Sequence, residues 1–561
     1  MTRSGGDVQG SRRLSRRTVL RGTLAIGAVA VGSSVLQACG PTAPPAGGAS
    51  PAASGPKVAR TPSGQLVFAS RISELETLHP FQTRLARAQA VSYHINEGLT
   101  KLSADLSLVP GLAESWKVSD DKLTYTFALR KNVKWHDGQA LSSKDVQFTL
   151  DAASNAASVS PAKVTLQTYM AKVEAQGEST IVITLKKPYG PLLTTLADQL
   201  LILPEHLLRA NIIDPAFAKA PVGTGPYKLK DRQLSALTLE HNPDYWGEKP
   251  YTSRIILKDA PEAAAQQAGI LAGEIDVAAF VPLSMPQLQA QGYPIFRGVA
   301  NSVHGINLDL QSPALQDPKV RQALRVALDR GRIKQLHYTE GFLAHAVVPS
   351  GFDAYHAKDL APVANGDAAA ANKLLDEAGW ARGADGVRAK GGQQLRFKHY
   401  AWTAKQWQDI ATIAQASWKP LGVEVDIVVT ENARIADTLS GRFDAAPIGW
   451  GLTSDPIVGL DLLFHSSDKT FKDGTTRNVF RYKNTQVDAL LDEALASADQ
   501  AKRAANAKQI QKIVYDEVPF IPIAYPSYEL VGRKGVSLDE TGKGALSSFG
   551  VGFFMTEWRA P

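Results

Sequence analysis

Two periodicities alternate along this chain, and the alternation restricts the fold more than any single motif. In DKLTYTFALR, Leu123, Tyr125, Phe127 and Leu129 share one face while Thr124, Thr126 and Arg130 share the other, the period-two pattern of a half-buried strand. After the turn WHDG, Ser142 and Asp145 have the spacing of an N-cap and a first-turn carboxylate, so a helix is predicted there. DPKVRQALRVALDRGRIKQL offers Asp317 as N-cap, Pro318 at the first helical position, and Val320, Leu324 and Leu328 on one stripe. DAAAANKLLDEAGW reads as a helix ending at Gly379, and IATIAQASWKPLGVEVDIVV as a helix stopped near Pro420 that leads into a strand. A long, alanine-rich, charge-laced stretch follows, from Gln486 to Val518, and yields to the apolar run PFIPIAY. No repeat of solenoid period is visible, so the fold class is α/β. With 561 residues, the chain exceeds what one core serves, and two or three subdomains are expected.

The N-terminal segment departs from this pattern. Residues 1–64 hold eight Lys and Arg against the single acid Asp7, while the rest balances 53 basic against 53 acidic side chains. The formal charge of +7 belongs to the leader, and the body has no excess charge with which to neutralise a nucleic acid. Arg-rich residues 12–21 precede a charge-free run from Gly22 to Ala38, too short and glycine-rich for a membrane span but suited to an export signal. SRRTVLR, with Arg16 and Arg17, resembles a twin-arginine signal, although Val19 stands where Phe is usual; the general secretory route is the alternative. Cys39 is the only cysteine, so no intramolecular disulfide can form. Its setting, LQACG, resembles a bacterial lipobox, which implies removal of signal residues 1–38 and lipidation of Cys39. Residues 39–64, dominated by Pro, Ala and Gly, read as a flexible linker to a lipid surface.

The motifs of several chemistries are missing. The 11 histidines form no HxH, HxxH or HExxH pair, which leaves no preformed metal site to expect, and His136 and His304 read as loop or hydrogen-bonding residues. No GxSxG elbow or GxxxxGK[ST] loop occurs, and SSDK, Ser466 to Lys469, is a chance-level tetrad. No cofactor is implied. Binding remains, and aromatic walls with a few polar groups suit a solute pocket. HYAWTAKQWQ contributes Tyr400, Trp402 and Trp407, and PIGWGLTSDP contributes Trp450 between Gly449 and Gly451, followed by Thr453 and Asp455. The glycines suit a strand-end loop where backbone approaches something closely. The competing reading makes the tryptophans core fillers.

Four stretches resemble one family in chain order: GLAESWKVSDDKLTYTFALRKNVKWHDGQALSSKDVQFTL (111–150), PVGTGPYKL (221–229), NPDYWGEKPY (242–251) and INLDLQSPALQDPKVRQALRVALDR (306–330). They are similar to family 5 extracellular solute-binding proteins of ABC importers, which include oligopeptide, dipeptide and nickel binders. The resemblance implies the two-lobe periplasmic-binding-protein fold (type II, cluster C) with an extra subdomain inserted in lobe one. Carried onto this chain, lobe one comprises 65–99, 221–303 and 522–561, the insert 100–220, and lobe two 304–521. Crossings near Gly305 and Pro519 are the expected hinges. The resemblance further implies a monomer, exported and lipid-anchored on the outer face of the cytoplasmic membrane or in the periplasm. It would close on a small-molecule or peptide-like solute and dock on membrane permease subunits served by a cytoplasmic ATPase.

Peptide binders of the family hold the α-amine with an Asp three residues after the Trp of the GW loop. Thr453 occupies that position here and carries no charge, and Asp455 matches a later Asp-Pro. The Arg-Pro-Tyr segment that takes a dipeptide carboxylate is also missing from YAWTAKQWQ. Both departures argue against a free-ended peptide. SELETLHP (73–80) matches the segment that lines the cleft from lobe one, so Glu74 is a candidate contact. Two alternatives to a receptor for a peptide-like or other polar organic solute are a metal-chelate receptor of the same family and an exported lipoprotein hydrolase.

Overall fold

A computed structural model describes residues 60–560 apart from 73, 74, 76, 83–85, 104–106, 156, 279–284, 339, 340, 432–434, 442, 467–475, 538–555, 557 and 558. The expected export signal with Arg16 and Arg17, Cys39, most of the linker, Glu74 and Lys469 lie outside these residues. The first strand, Ser63–Ser70, opens inside the expected linker.

Apolar side chains at alternate positions build three principal sheets. The first has seven strands, in the order Ile295–Val299, Ser527–Gly532, Val277–Ala278, Ser63–Ser70, Thr252–Asp259, Ala236–His241 and Tyr227–Arg232. Ser63–Ser70 runs parallel to both of its neighbours. Leu66, Phe68, Leu237, Leu239, Ile255 and Leu257 fill its core. The second sheet has six strands, in the order Phe342–Leu343, Phe520–Tyr525, Ser302–Leu308, Ala445–Gly451, Arg396–Trp402 and Glu424–Thr430. The insert supplies an antiparallel four-stranded sheet, Ala113–Val118, Thr124–Leu129, Thr180–Leu185 and Met170–Gln176. The chain thus forms two α/β lobes with an extra subdomain inserted in the first.

Local capping chemistry sets several helix starts. Ser142 and Asp145 form a capping box on Ser143–Ser154, with the Ser142 N–H donating to Asp145 Oδ2 at 2.9 Å. Asp317 caps Pro318–Ala327 by accepting from the Lys319 N–H at 3.0 Å. From this helix, Arg321 and Arg325 donate to the carbonyls of Glu517 and Tyr515 at the end of helix Gln500–Glu517. Cations there satisfy orphan carbonyls and oppose the negative end of the helix dipole. The long alanine-rich stretch is two helices, Thr485–Ala496 and Gln500–Glu517. They separate where Asp499 supplies a new N-cap, accepting from the Ala501 N–H at 2.8 Å. His136 in the WHDG turn joins the PVGTGPYKL turn, facing the Gly225 carbonyl at 3.0 Å and the Gly223 N–H at 3.3 Å.

The chain changes sheet at residues 300–301 and again at Pro526. These positions differ from the expected crossings near Gly305 and Pro519. Gly305 lies within Ser302–Leu308, where a Cβ would stand 2.2 Å from the Ile521 carbonyl oxygen, so it serves close strand packing. Pro519 accepts from the Leu308 N–H at 3.0 Å, also inside the second lobe, and that lobe's sheet keeps the chain through Tyr525, past the expected boundary at 522. The two actual crossings touch: the Ala300 N–H donates to the Pro526 carbonyl at 2.8 Å.

Candidate functional site

The stretch PIGWG is strand rather than loop, since Ala445–Gly451 pairs antiparallel with Ser302–Leu308. Trp450 is 4% exposed, and its indole N–H donates to Asn307 Oδ1 at 2.9 Å. Gly449 faces His304, and a Cβ there would lie 2.4 Å from the imidazole Nε2. The missing side chain makes room for that ring, which meets Tyr338 and Trp407, each at 5.4 Å between centroids. Burial pulls His304 down to about 4, so the imidazole is neutral near pH 7. Gly451, by contrast, has open space where a Cβ would project. Trp402 is buried and donates to the Pro447 carbonyl at 2.6 Å, and Tyr400 is half-buried.

Beyond the strand, the chain is held from the first crossing. Leu452 N–H donates to the Asn301 carbonyl at 2.8 Å, and Asn301 Nδ2 donates to the Leu452 carbonyl at 2.6 Å. This two-way grip fixes the start of the loop that carries Thr453. Asp455 caps helix Pro456–Phe464 by accepting from the Ile457 N–H at 3.0 Å, and its other oxygen pairs with Arg503. The ion pair is 5% exposed on both sides. Both carboxylate oxygens are therefore committed inside the fold.

Thr453 reaches a cavity of about 320 Å³. Gln89, Ser92 and Tyr93 line it from the first lobe, Thr165 and Asp198 from the insert, and Thr453 from the second lobe. Asp198, the last residue of helix Leu192–Asp198, is 4% exposed, and its Oδ1 has no hydrogen-bond partner among the described residues. Burial pushes its carboxyl up to about 7; a hydrogen bond with Ser454 opposes the rise and the Asp455 charge adds to it. Burial, with the Asp198 charge, also raises the Tyr93 phenol, which stays neutral.

A second cavity, of about 330 Å³, contains another buried acid, Glu97. That carboxylate accepts from Tyr245 Oη and Trp246 Nε1, each at 2.8 Å, and from Thr224 Oγ1 at 3.0 Å, and it pairs with Lys101. Glu97 is saturated by its own fold; Asp198 is not. Sequence reading missed Asp198, Tyr93 and Asn301, though an acid inside the apolar run LLTTLADQLLILP was a visible signal.

The model of bacterial extracellular solute-binding proteins, family 5, matches residues 107–471. The chain belongs to that family. Protein XP55 of Streptomyces lividans is 31% identical over 81% of this chain and 82% of its own length. The crystal structure of NikZ from Campylobacter jejuni in complex with Ni(L-His) aligns with a TM-score of 0.71 at 28% identity, covering 89% of this chain and all of that one. The oligopeptide-binding protein AppA from Bacillus subtilis, solved with a nonapeptide, aligns with a TM-score of 0.69 at 26% identity, over 90% of this chain and all of that one. As a family 5 solute-binding protein of ABC transporters, the chain has relatives that bind rather than catalyse, and the family is exported.

Proposed function

We propose that this chain is the lipid-tethered receptor of an ABC importer, which captures a polar organic or peptide-like solute between its lobes and presents the closed form to the permease. One observation carries the reading: the 320 Å³ cavity draws its walls from the first lobe, the insert and the second lobe, so solute there bridges all three. A ligand that contacts both lobes favours the closed arrangement by its differential affinity for it. Within this cleft, Thr453, Val458 and Leu462 are the second-lobe contacts among the described residues, and Tyr400, Trp402 and the Gly449–Trp450–Gly451 strand do not line it.

The experiment is to purify the protein from its native host, denature it and identify released small molecules by mass spectrometry, with X-ray scattering to follow compaction when they are added back. Recovery of a stoichiometric organic solute supports the reading; an empty protein that stays equally extended with every added fraction removes it. The likeness to the Ni(L-His)-bound NikZ favours a metal chelate as second reading. Among the described residues no cluster of three His, Cys, Asp or Glu is placed to hold a metal, so a metal would arrive within an organic chelator. Elemental analysis of the same material separates the two.

A further inference from the structure

We propose that Asp198 is the cation-binding group of this cleft, receiving a protonated amine or comparable basic nitrogen of the solute where the insert meets the Thr453–Ser454 loop. The inference rests on the solute-receptor reading of the same cavity and adds the chemical class of its cargo. In the peptide binders that the sequence resembles, the acid follows the tryptophan of the second-lobe loop. Here that position is Thr453, and the acid arrives from the insert instead.

Three observations converge. Asp198 lines the cavity, 4% exposed; among the described residues its Oδ1 has no partner, and this oxygen is sealed beneath the cavity surface, so a ligand donor reaches the carboxyl as it turns from Ser454. A buried acceptor without a donor is costly to maintain, and a ligand donor removes that cost. Among the described residues lining the cavity none is basic, and none of them would neutralise the carboxylate or hold an acidic solute group. The remaining polar wall consists of uncharged amides and hydroxyls, including Gln89, Ser92, Thr165 and Thr453. Thr453 Oγ1 donates to the Asp455 carbonyl at 2.6 Å, which leaves its oxygen able to accept.

The surrounding charges agree with this assignment. Tyr93 faces Asp198 from the first-lobe helix and is neutral; Ser454 and Asp455 face it from the second lobe, and Arg503 is occupied by Asp455. With the carboxyl pushed up to about 7, the empty site holds a proton part of the time at neutral pH. An ammonium takes that proton's place, so binding releases protons. A purely structural Asp198, holding only Ser454 across the seam, predicts neither amine preference nor proton release.

The test compares trialaninamide, which has a free amine and no carboxylate, with N-acetyltrialaninamide, by calorimetry on the full chain stripped of its cargo. Expected is at least tenfold tighter binding of the free amine. Asp198→Asn removes that preference while the variant still unfolds cooperatively. Because the variant could misfold, wild type is also titrated at pH 7 in two buffers of different ionisation enthalpy, where about half a proton should be released per amine bound. Absence of any preference for the free amine, whether both probes bind or neither does, overturns the proposal, as does binding without proton release. If material from the native host yields a solute that lacks a basic nitrogen, this inference fails alone; if it yields no solute and no added fraction compacts the protein, the receptor reading fails with it.

Discussion

Asp198 and Asp455 are both nearly inaccessible, lie close enough for their charges to interact, and yet stand in opposite conditions. Asp455 meets an arginine and a helix N-terminus, so its charge is internally balanced. Asp198 sits at a helix C-terminus, where the dipole disfavours an anion, with one oxygen unpartnered and its carboxyl raised. The difference separates two uses of a buried acid. A saturated carboxylate holds the fold together, whereas an unsaturated one in a cavity wall holds a place open for a donor from outside.

The largest effect should come from breaking the saturated member. Asp455→Ala strands Arg503 in a buried site and removes a helix cap, so a loss of about 3–5 kcal/mol is expected from urea unfolding at pH 7. A loss below about 1 kcal/mol would mean that Arg503 finds other partners, and the contrast with Asp198 would collapse.

The unsaturated member should respond in the opposite direction. The native state holds the Asp198 proton to about pH 7, while the unfolded chain releases it near the ordinary value of 3.8. The native state thus binds more protons between these limits, and this residue makes stability fall as pH rises from about 4 to about 7. Asp198→Asn keeps the shape and cannot ionise. The variant should match wild type near pH 4 and exceed it by up to roughly 4 kcal/mol above pH 7, since each pH unit between the two limits contributes about 1.4 kcal/mol. Parallel stability curves for the two proteins would place Asp198 among the saturated acids.

Closure itself can be tested beside these acids. The Gly190 N–H of the insert donates to the Leu495 carbonyl of the second lobe at 2.6 Å, and a Cβ on Gly190 would fall 1.8 Å from the Ser497 carbonyl oxygen. Gly190→Ala should force this contact apart at a cost of about 1–3 kcal/mol, seen as roughly fivefold or greater loss of solute affinity. Unchanged affinity and compaction would show that the seam at Gly190 is not part of the closed, solute-holding state.

Features set by neighbours in sequence were legible. Ser142 with Asp145 and Asp317 with Pro318 mark helix starts because a cap is completed within three residues. The break before Gln500 carried the same kind of signal at Asp499, within a stretch whose composition otherwise reads as uninterrupted helix. What escaped depends on distant packing. Gly449 looked like a loop glycine, yet its reason is the His304 ring on the next strand. Asp455 looked like a free acid because Arg503 is 48 positions away. Asp198 gains its meaning only where Gln89, Asp198 and Thr453, drawn from three subdomains, share one cavity.

Trp450 offers the finest division between fold and site. Its indole N–H satisfies Asn307 Oδ1, while the Asn307 amide nitrogen has no partner among the described residues. Trp450→Phe keeps an aromatic ring but removes the donor, and should lower stability by about 1–2 kcal/mol through the unpaired carbonyl oxygen. Solute affinity should change less than threefold, because the ring faces the buried cluster that also holds Trp402 and Leu452. The reverse outcome, a large loss of affinity with stability intact, would move Trp450 from the core to the wall of the cleft, and the division between structural and solute-facing groups would then run through the strand rather than through the acids.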